Sequence, residues 1–286
     1  MSDHADLNLR PADDAVETID IGPPNRPSWP IIVIGLLAVA AGFAIYLVFG
    51  RQTAAPVNEQ PAAAVAAPER PASPLGGPAE SIAVPPLEDS DPLVRQLVGK
   101  LSSHPRVAAW LTTDGLIRNF TVVVANISEG RSPSAHLRSV KPSGSFSVGT
   151  RGGAQVVEAR SYQRYDSLAD AVASVDAAGS ARLYATLKPR IEEAAGELGY
   201  APGSFDRMLE KAIASLLATP DGASGVAVHP HGAVGYAYAD EGLESLSGAQ
   251  KHLLRMGPRN TRLIKDKLRE IAAALGIPAD RLPRTS

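Results

Sequence analysis

Hydrophobic and polar residues divide this chain into parts of very different character. Ile31–Phe49 is a run of 19 residues without a charge, and most of them are apolar. A membrane-spanning helix needs about 20 apolar residues. Trp29 and Tyr46 lie near opposite ends of the run, where membrane interfaces favour aromatic rings. The pattern therefore predicts one transmembrane helix over 29–50.

A cleaved signal peptide is the alternative interpretation of this run. Its charged region is ordinarily short and basic, whereas 1–28 contains six acidic residues and two basic ones. We therefore favour an uncleaved anchor that follows an acidic, disordered tail over 1–28. Within the span, Gly35, Ala38 and Gly42 form a stripe of small residues. This stripe either allows another helix to approach closely or is ordinary membrane-span composition.

A Pro- and Ala-rich segment over 51–86 follows the predicted anchor. Ten of its 36 residues are alanine, eight are proline and none is aromatic, so we expect a linker without a core. The remaining 200 residues, 87–286, suffice for one hydrophobic core. Two basic residues flank each side of the span, so charge does not decide its orientation. By analogy with other linkers of this kind, we place the tail inside and the domain in the periplasm.

Helical periodicity dominates the domain predicted over 87–286. Within 114–128, Thr121–Val124 favours a strand, but apolar residues at helical spacing favour a helix opened by Asp114, and we predict the helix. The other predicted helices start at Asp91, His104, Ser161 (to Val175), Asp176 (kinked or split at Pro189), Ser204 and Ser247, and a last one follows Gly257-Pro258 and stops at Gly276.

Two short hairpins complete the predicted domain. Ser145–Val148 and Ala154–Val157 flank Gly149–Gly153, which is typical of a turn. The second hairpin is predicted from Gly225–His229 and Val234–Ala239 around Pro230–Ala233. The predicted fold class is mainly α: a single-pass membrane helix plus a helix-dominated globular domain with two small β-hairpins.

Six pieces of the domain, in the same order, are similar to a known family. They are Pro85–Asp91, Trp110–Arg118, Tyr162–Asp166, Glu197–Tyr200, Leu217–Pro220 and, the densest, Gln250–Asn260. Residues 85–276 thus resemble bacterial domain-of-unknown-function family 3014. The resemblance implies an uncharacterised Gram-negative inner-membrane protein facing the periplasm, and it implies no activity. Where the family's third helix is expected to hold an acidic residue, this chain has Asn126.

Composition excludes several classes of site. The chain has no cysteine, so disulfides, thiolate zinc sites and iron–sulfur clusters are excluded. A net charge of −2 and 5% aromatic residues give no general case for nucleic-acid binding. No nucleophile-elbow or phosphate-binding glycine motif occurs. We predict no cofactor, no nucleic-acid partner and no assigned catalytic residue.

His229 and His231 are the candidate metal ligands. Residues at i and i+2 share one face of a strand, and two imidazoles can bind zinc, with Asp240 or Glu241 adding an oxygen. Pro230 interrupts that strand, however, and a polar hairpin tip is the simpler interpretation. We therefore predict no metal site.

Basic residues are concentrated at the C-terminal end. Residues 251–286 contain nine basic and three acidic residues, a net charge of +6. An anionic partner could bind along one side of the closing helices, or these residues form a solvated helix face. The candidate binding residues are Arg255, Arg259, Arg262 and Arg269, and Trp110, Gly257 and Pro258 are predicted to be structural.

Asp114, Arg118 and Glu129 are a second candidate cluster, in which two carboxylates would lie around one cation. Alternatively, they belong to a solvated helix face that contributes little to stability. The sequence as a whole favours an envelope interaction module that binds an envelope protein or polymer. A metal-assisted or other hydrolase of the envelope with an unrecognised site is the alternative hypothesis.

Overall fold

The computed structural model describes residues 74–137, 141–142, 144–232 and 235–284. Within these ranges the chain forms ten α-helices: α1 (Asp91–Gly99), α2 (Pro105–Trp110), α3 (Leu116–Ser128), α4 (Ala159–Gln163), α5 (Asp166–Ala173), α6 (Ala177–Glu197), α7 (Phe205–Leu217), α8 (Glu241–Glu244), α9 (Gly248–Leu254) and α10 (Pro258–Leu275). It also forms four strands: β1 (Val148–Arg151), β2 (Ala154–Val157), β3 (Val228–His231) and β4 (Gly235–Tyr238). The prediction of a helix-dominated domain with two small antiparallel hairpins is confirmed.

The predicted tail and membrane helix, 1–28 and 29–50, lie outside the described residues. Across the ranges that are described, no helix combines the length and the apolar character needed to cross a membrane.

The main core lies where α3, α6, α7 and α10 pack against one another. Phe205 at the start of α7 is fully buried and contacts the rings of Phe120 and Tyr184, at centroid distances of 5.9 and 6.3 Å. In α3 the strand-favouring Thr121 is buried, and its hydroxyl donates to the carbonyl of Ile117 at 2.9 Å. The apolar stripe, and not the strand preference of Thr121–Val124, therefore determines the secondary structure of this segment. The predicted helix is confirmed.

The start of α3 is capped by a residue of another helix. The carboxylate of Asp91, in the first turn of α1, accepts from the backbone N–H groups of Gly115 and Leu116 at 2.7 and 2.9 Å. The predicted cap, Asp114, has a 96% exposed side chain that pairs with Arg95 instead. The prediction that Asp114 opens this helix is wrong, because the cap comes from 24 positions earlier in the chain.

Ser161 does not begin a helix that reaches Val175. That segment contains two helices, α4 and α5, and Ser161 lies inside the first. Its buried hydroxyl donates to the carbonyl of Ser147 at 2.8 Å and accepts from the N–H of Ser147 at 2.7 Å. Ser161 therefore joins α4 to the segment that precedes β1.

Predictions for α6 and α7 have mixed outcomes. Asp176 caps α6 as predicted, but α6 is continuous through Pro189, so the prediction of a split is wrong. Ser204 precedes α7 without a side-chain cap. Glu192 supplies that function from α6, because its carboxylate accepts from the N–H of Phe205 at 3.3 Å.

The first hairpin has a tighter turn than predicted. β1 extends through Arg151, and only Gly152 and Gly153 remain in the turn, with φ of +58° and +81°. Positive φ at both positions is typical of a type I′ turn, which matches the twist of the flanking strands.

The second hairpin includes Pro230 in β3, opposite Tyr236. The N–H of Ala239 donates to the carbonyl of Ala227 at 3.0 Å, so in this register the amide position of Pro230 points away from β4. The ladder therefore loses no hydrogen bond to the proline.

The two hairpins lie edge to edge. Val156 and Ala227 form a bridge, and the N–H of Val157 donates to the carbonyl of Val226 at 3.0 Å. One face of the joined hairpins packs against the helices in a separate apolar cluster of Val157, Val228, Tyr238 and Leu254. This face forms one wall of the candidate site.

The segment 74–86 packs on the helices. Leu75 is buried in the main core, and the N–H of Gly76 donates to the carbonyl of Leu275 at 3.0 Å. The guanidinium of Arg190 donates to the carbonyls of Val84 and Pro85 at 3.2 and 2.8 Å. The end of the stretch predicted as a linker over 51–86 is thus attached to the folded domain.

Candidate functional site

Two of the sequence pieces quoted above, Tyr162–Asp166 and Gln250–Asn260, meet in space. Asn260 is buried, and its side-chain amide donates to the carbonyl of Tyr162 at 3.1 Å, to a carboxylate oxygen of Asp166 at 2.8 Å and to the carbonyl of Met256 at 3.0 Å. A buried amide with several acceptors fixes the relative position of the segments that supply them. Asn260 therefore holds the start of α10 against the connection between α4 and α5.

Gly257 makes the closest approach between these segments. Its φ is +85°, and a Cβ added there would lie 2.5 Å from Cγ of the Tyr162 ring. Pro258 follows as the first residue of α10, where a proline loses no helical hydrogen bond. Trp110 ends α2 and packs, partly buried, against the main core. The structural role of the three residues stays a prediction.

A pocket of about 380 Å³ opens beside this junction, between the joined hairpins and the ends of α4 and α9. Its aromatic lining residues are Phe146, Tyr162, Tyr236 and Tyr238, and its charged lining residues are Arg164 and Arg255. Valines, Leu254 and short β4 residues complete the described lining, which contains no carboxylate.

The arginine at one side of the pocket is held by aromatic rings. The guanidinium carbon of Arg164 lies 5.6 Å from the ring centroid of Phe146 and 5.0 Å from that of Tyr165. Phe146 is 40% exposed and lies 5.5 Å from the ring of Tyr236. Stacking on aromatic rings restricts a guanidinium without using its N–H groups. Arg164 therefore presents free donors next to exposed aromatic surface.

Tyrosine hydroxyls and a second arginine form the other side. The hydroxyl oxygen of Tyr162 is buried, and no described residue meets hydrogen-bond geometry with it. Burial raises its pKa, against a smaller lowering by the nearby backbone N–H groups of Val226 and Gly225. Burial also raises the pKa of Tyr238 to about 12, against the opposing charge of Arg255. Burial and the same Arg255 charge lower the pKa of His252. At neutral pH this side therefore contains neutral phenols and one cation.

The pocket thus has donors in excess of acceptors. Within the described ranges neither Arg164 nor Arg255 forms an ion pair, although most other arginines there do. Aromatic walls, buried phenols and unpaired guanidinium groups suit an anionic group attached to an apolar body.

A family model described as Protein of unknown function (DUF3014) matches residues 116–272, more than half of the chain. The chain belongs to this family. No curated protein and no solved structure matches it. The DUF3014 match begins at the first residue of α3, ends within α10 and includes all the described residues that line the pocket. It thus contains both the pocket and the Gly257 junction.

The four arginines predicted to bind an anionic partner have different surroundings in this DUF3014 domain. Arg259 pairs with Asp170 at 2.8 Å, and Arg269 pairs with Asp266 at 2.8 Å. Arg262 is exposed and its charge contributes to the lowered pKa of Asp221, whose main cause is the hydrogen bond from Lys265. Arg255 alone of the four lines the pocket.

The candidate metal ligands lie on an exposed strand. His229 and His231 are both exposed on β3, while the carboxylate of Asp240 caps α8, accepting from the N–H of Leu243 at 2.9 Å. Glu241 is the first residue of α8. Within the ranges the structure describes, no group of three or more His, Cys, Asp or Glu residues is placed to hold a metal ion.

The structure does not bring Asp114, Arg118 and Glu129 together. Arg118 lies between Glu88 and Glu197, and these two hydrogen bonds raise its pKa, that from Glu197 contributing most. Asp114 pairs with Arg95, and Glu129 pairs with Arg131. The side chain of Asn126 accepts from Arg131 at 3.0 Å.

Sequence reasoning missed most of the pocket. Phe146, Arg164, Tyr236 and Tyr238 were not among the predicted site residues, because each lies in a different short segment from Arg255. One signal was available: Arg164 lies inside the quoted piece Tyr162–Asp166, which has no helical or strand periodicity of its own.

Proposed function

We propose that this DUF3014 protein is a single-pass inner-membrane protein whose helical domain acts as a binding module in the periplasm. Its partner is an envelope protein or polymer. The uncharged run Ile31–Phe49 supports the anchor, and the Pro- and Ala-rich segment after it supports a tethered domain.

One observation supports the binding role above the others. The pocket combines exposed aromatic surface with two unpaired arginines and has no carboxylate in its described lining. The pocket also holds the buried hydroxyl of Tyr162, which has no partner among the described residues, and buried donors without acceptors are uncommon in folded proteins. A partner that supplies an anionic group would satisfy them.

Capture of the partner by the full chain tests this proposal. The tagged full-length protein is cross-linked in intact cells of its host, and captured partners are compared for the wild type, Arg255→Glu and Arg262→Glu. We expect Arg255→Glu to reduce capture about tenfold or more, because the lost contact is charge-assisted.

Arg262→Glu is the matched control, since it makes the same charge change on an exposed arginine outside the pocket. We expect it to change capture less than about twofold. Equal losses of capture in both variants would show that binding depends on the overall charge of the domain and not on the pocket. Absence of any partner captured by the wild type would contradict the proposed role.

A further inference from the structure

We infer that the pocket recognises a flat apolar group that carries an anionic end, either a carboxylate or a phosphate. The inference rests on the proposed binding function and names the ligand chemistry of the same site. Three properties of the pocket lead to it: its uncompensated donors, the shape of its walls and its size.

The pocket contains N–H and O–H groups that have no hydrogen-bond acceptor among the described residues, and a ligand could supply one. Arg164 donates from Nε to the carbonyl of Ser161 at 3.0 Å and from one terminal nitrogen to the hydroxyl of Tyr165 at 3.3 Å. A guanidinium has five N–H groups, so three of those in Arg164 have no acceptor among the described residues. The buried hydroxyl of Tyr162 and the exposed guanidinium of Arg255 add further donors. An anion is the acceptor that satisfies such a set best.

The walls favour a flat, apolar body. Phe146 and Tyr236 meet at an interplanar angle of 51°, and Phe146 leaves 40% of its surface exposed. Val157 and Val228 of the joined hairpins also line the pocket. Aromatic rings pack well against other planar groups, by stacking or edge to face. A purely polar ion would leave this surface in contact with water.

The volume limits the ligand to a small group. Pockets for small molecules hold roughly 300–1,000 Å³, and this one, at about 380 Å³, is near the lower limit. A bicyclic ring system with one anionic substituent fits this size. The occupant is therefore a small acid or a single group that projects from a larger partner.

A second cavity of the described domain has the opposite character. It measures about 430 Å³, and its lining includes Glu88, Asp89, Asp91 and Asp114. Both arginines in the described lining of that cavity, Arg95 and Arg118, are paired with carboxylates, so of these two cavities the aromatic pocket suits an anion better.

Titration calorimetry on the full chain in lipid nanodiscs tests the inference, with empty nanodiscs as the correction for partitioning into lipid. The probes are 2-naphthoate, 2-naphthyl phosphate, the neutral 2-naphthamide and inorganic phosphate. We expect at least one naphthyl anion to bind, at least tenfold more tightly than the amide, and inorganic phosphate not to bind at millimolar concentration. The tighter of the two anions identifies the anionic group.

The variant Arg255→Ala should weaken binding of the preferred naphthyl anion about tenfold or more. Arg262→Ala, the matched exposed control, should leave it within about twofold, and thermal melting of both variants checks that they are folded. Equal affinity for anion and amide, equal effects of the two variants, or no binding of either naphthyl anion would each overturn the inference.

Competition separates this inference from the proposed function. If the naphthyl anion binds but, when added before the cross-linker, does not reduce capture of the partner, the ligand chemistry stands and the partner-binding role fails. If partner capture depends on Arg255 while no naphthyl anion binds, the binding role stands and the ligand chemistry is wrong.

Discussion

Gly257 illustrates how one residue determines the packing of two distant segments. Its φ of +85° and ψ of 166° lie in a region that is nearly restricted to glycine. The ring of Tyr162 occupies the space in which a side chain would lie. The sequence indicated a turn at Gly257-Pro258. The structure adds that position 257 has no room for a side chain, because the ring of Tyr162 packs against it.

Gly257→Ala should therefore destabilise the domain by about 3 kcal/mol. The added Cβ combines backbone strain with overlap against the atoms of Tyr162 nearest its backbone, which cannot move far. Urea unfolding of the full chain measures the loss. The control is Gly276→Ala, which has φ of +80° but no atom within 4 Å of an added Cβ, so we expect about 1 kcal/mol. Equal losses would show that overlap with Tyr162 is unimportant.

Lys265 is a buried cation with a single carboxylate partner. Its ammonium donates to Asp221 at 2.6 Å and to the carbonyl of Thr219 at 2.8 Å, and its side chain is 5% exposed. The hydrogen bond from Lys265 lowers the pKa of Asp221 below its ordinary 3.8. A carboxylate with a lowered pKa stabilises the fold above its unfolded-state pKa and loses that contribution as pH falls through the folded-state value.

Asp221→Asn should cost about 2–3 kcal/mol at pH 7, because Lys265 stays buried without a counter-charge. The difference from the wild type should begin to shrink below about pH 4, the unfolded-state pKa of an aspartate, and disappear once pH falls below the lowered pKa of Asp221 in the folded wild type. Urea unfolding at several pH values measures both effects. Asp266→Asn removes an exposed pair on the same helix and should cost under about 0.5 kcal/mol. A pH-independent difference for Asp221→Asn would contradict this explanation.

Helix α3 is determined by its own sequence, whereas its N-terminal cap comes from another helix. The stripe that includes Leu116, Ile117 and Val124 predicts a helix despite the strand-favouring Thr121–Val124, since burial of one face outweighs local preference. Its cap could not be predicted in the same way. Asp114 has a suitable residue type and position, but the backbone donors turn towards Asp91, and local patterns contain no information on that contact.

Asp91→Ala should cost about 1–2 kcal/mol, the usual effect of losing a helix cap. Asp114→Ala should cost less than about 0.5 kcal/mol, because its side chain is 96% exposed and forms only a surface pair. Thermal or urea unfolding of the two variants compares them directly. If Asp114→Ala proved the more harmful, the cap would belong to Asp114 as its sequence position suggests.

At the scale of the whole molecule, the site is harder to predict than the fold. The elements follow from periodicity, whereas the pocket is assembled from the segment before β1, the end of α4, strand β4 and the end of α9. Arg255 could be selected from the charge distribution, since it lies in the basic C-terminal region. Arg255 lines the pocket whereas Arg259 and Arg269 are paired with acids. This difference depends on tertiary contacts, which cannot be read from the spacing of residues in the sequence.

The proposed anchor predicts where the two ends of the chain are found. An alkaline phosphatase reporter fused after residue 286 should be active, because the proposed topology puts the C-terminal domain outside the inner membrane. The full chain should sediment with membranes and require detergent for release. A phosphatase that is made but stays inactive would reverse the orientation, since its disulfides do not form in the cytoplasm. A chain in the soluble fraction would contradict the anchor.

The attachment of 74–86 has a mechanical consequence. A pull on the chain ahead of residue 74 acts first on the bond between Gly76 and Leu275 and on the grip of Arg190 on Val84 and Pro85. These contacts, together with the burial of Leu75 in the main core, have to be lost before the segment is released. Thirteen released residues add roughly 40 Å of slack. Release of this segment would thus lengthen the connection to the domain before the rest of the domain unfolds.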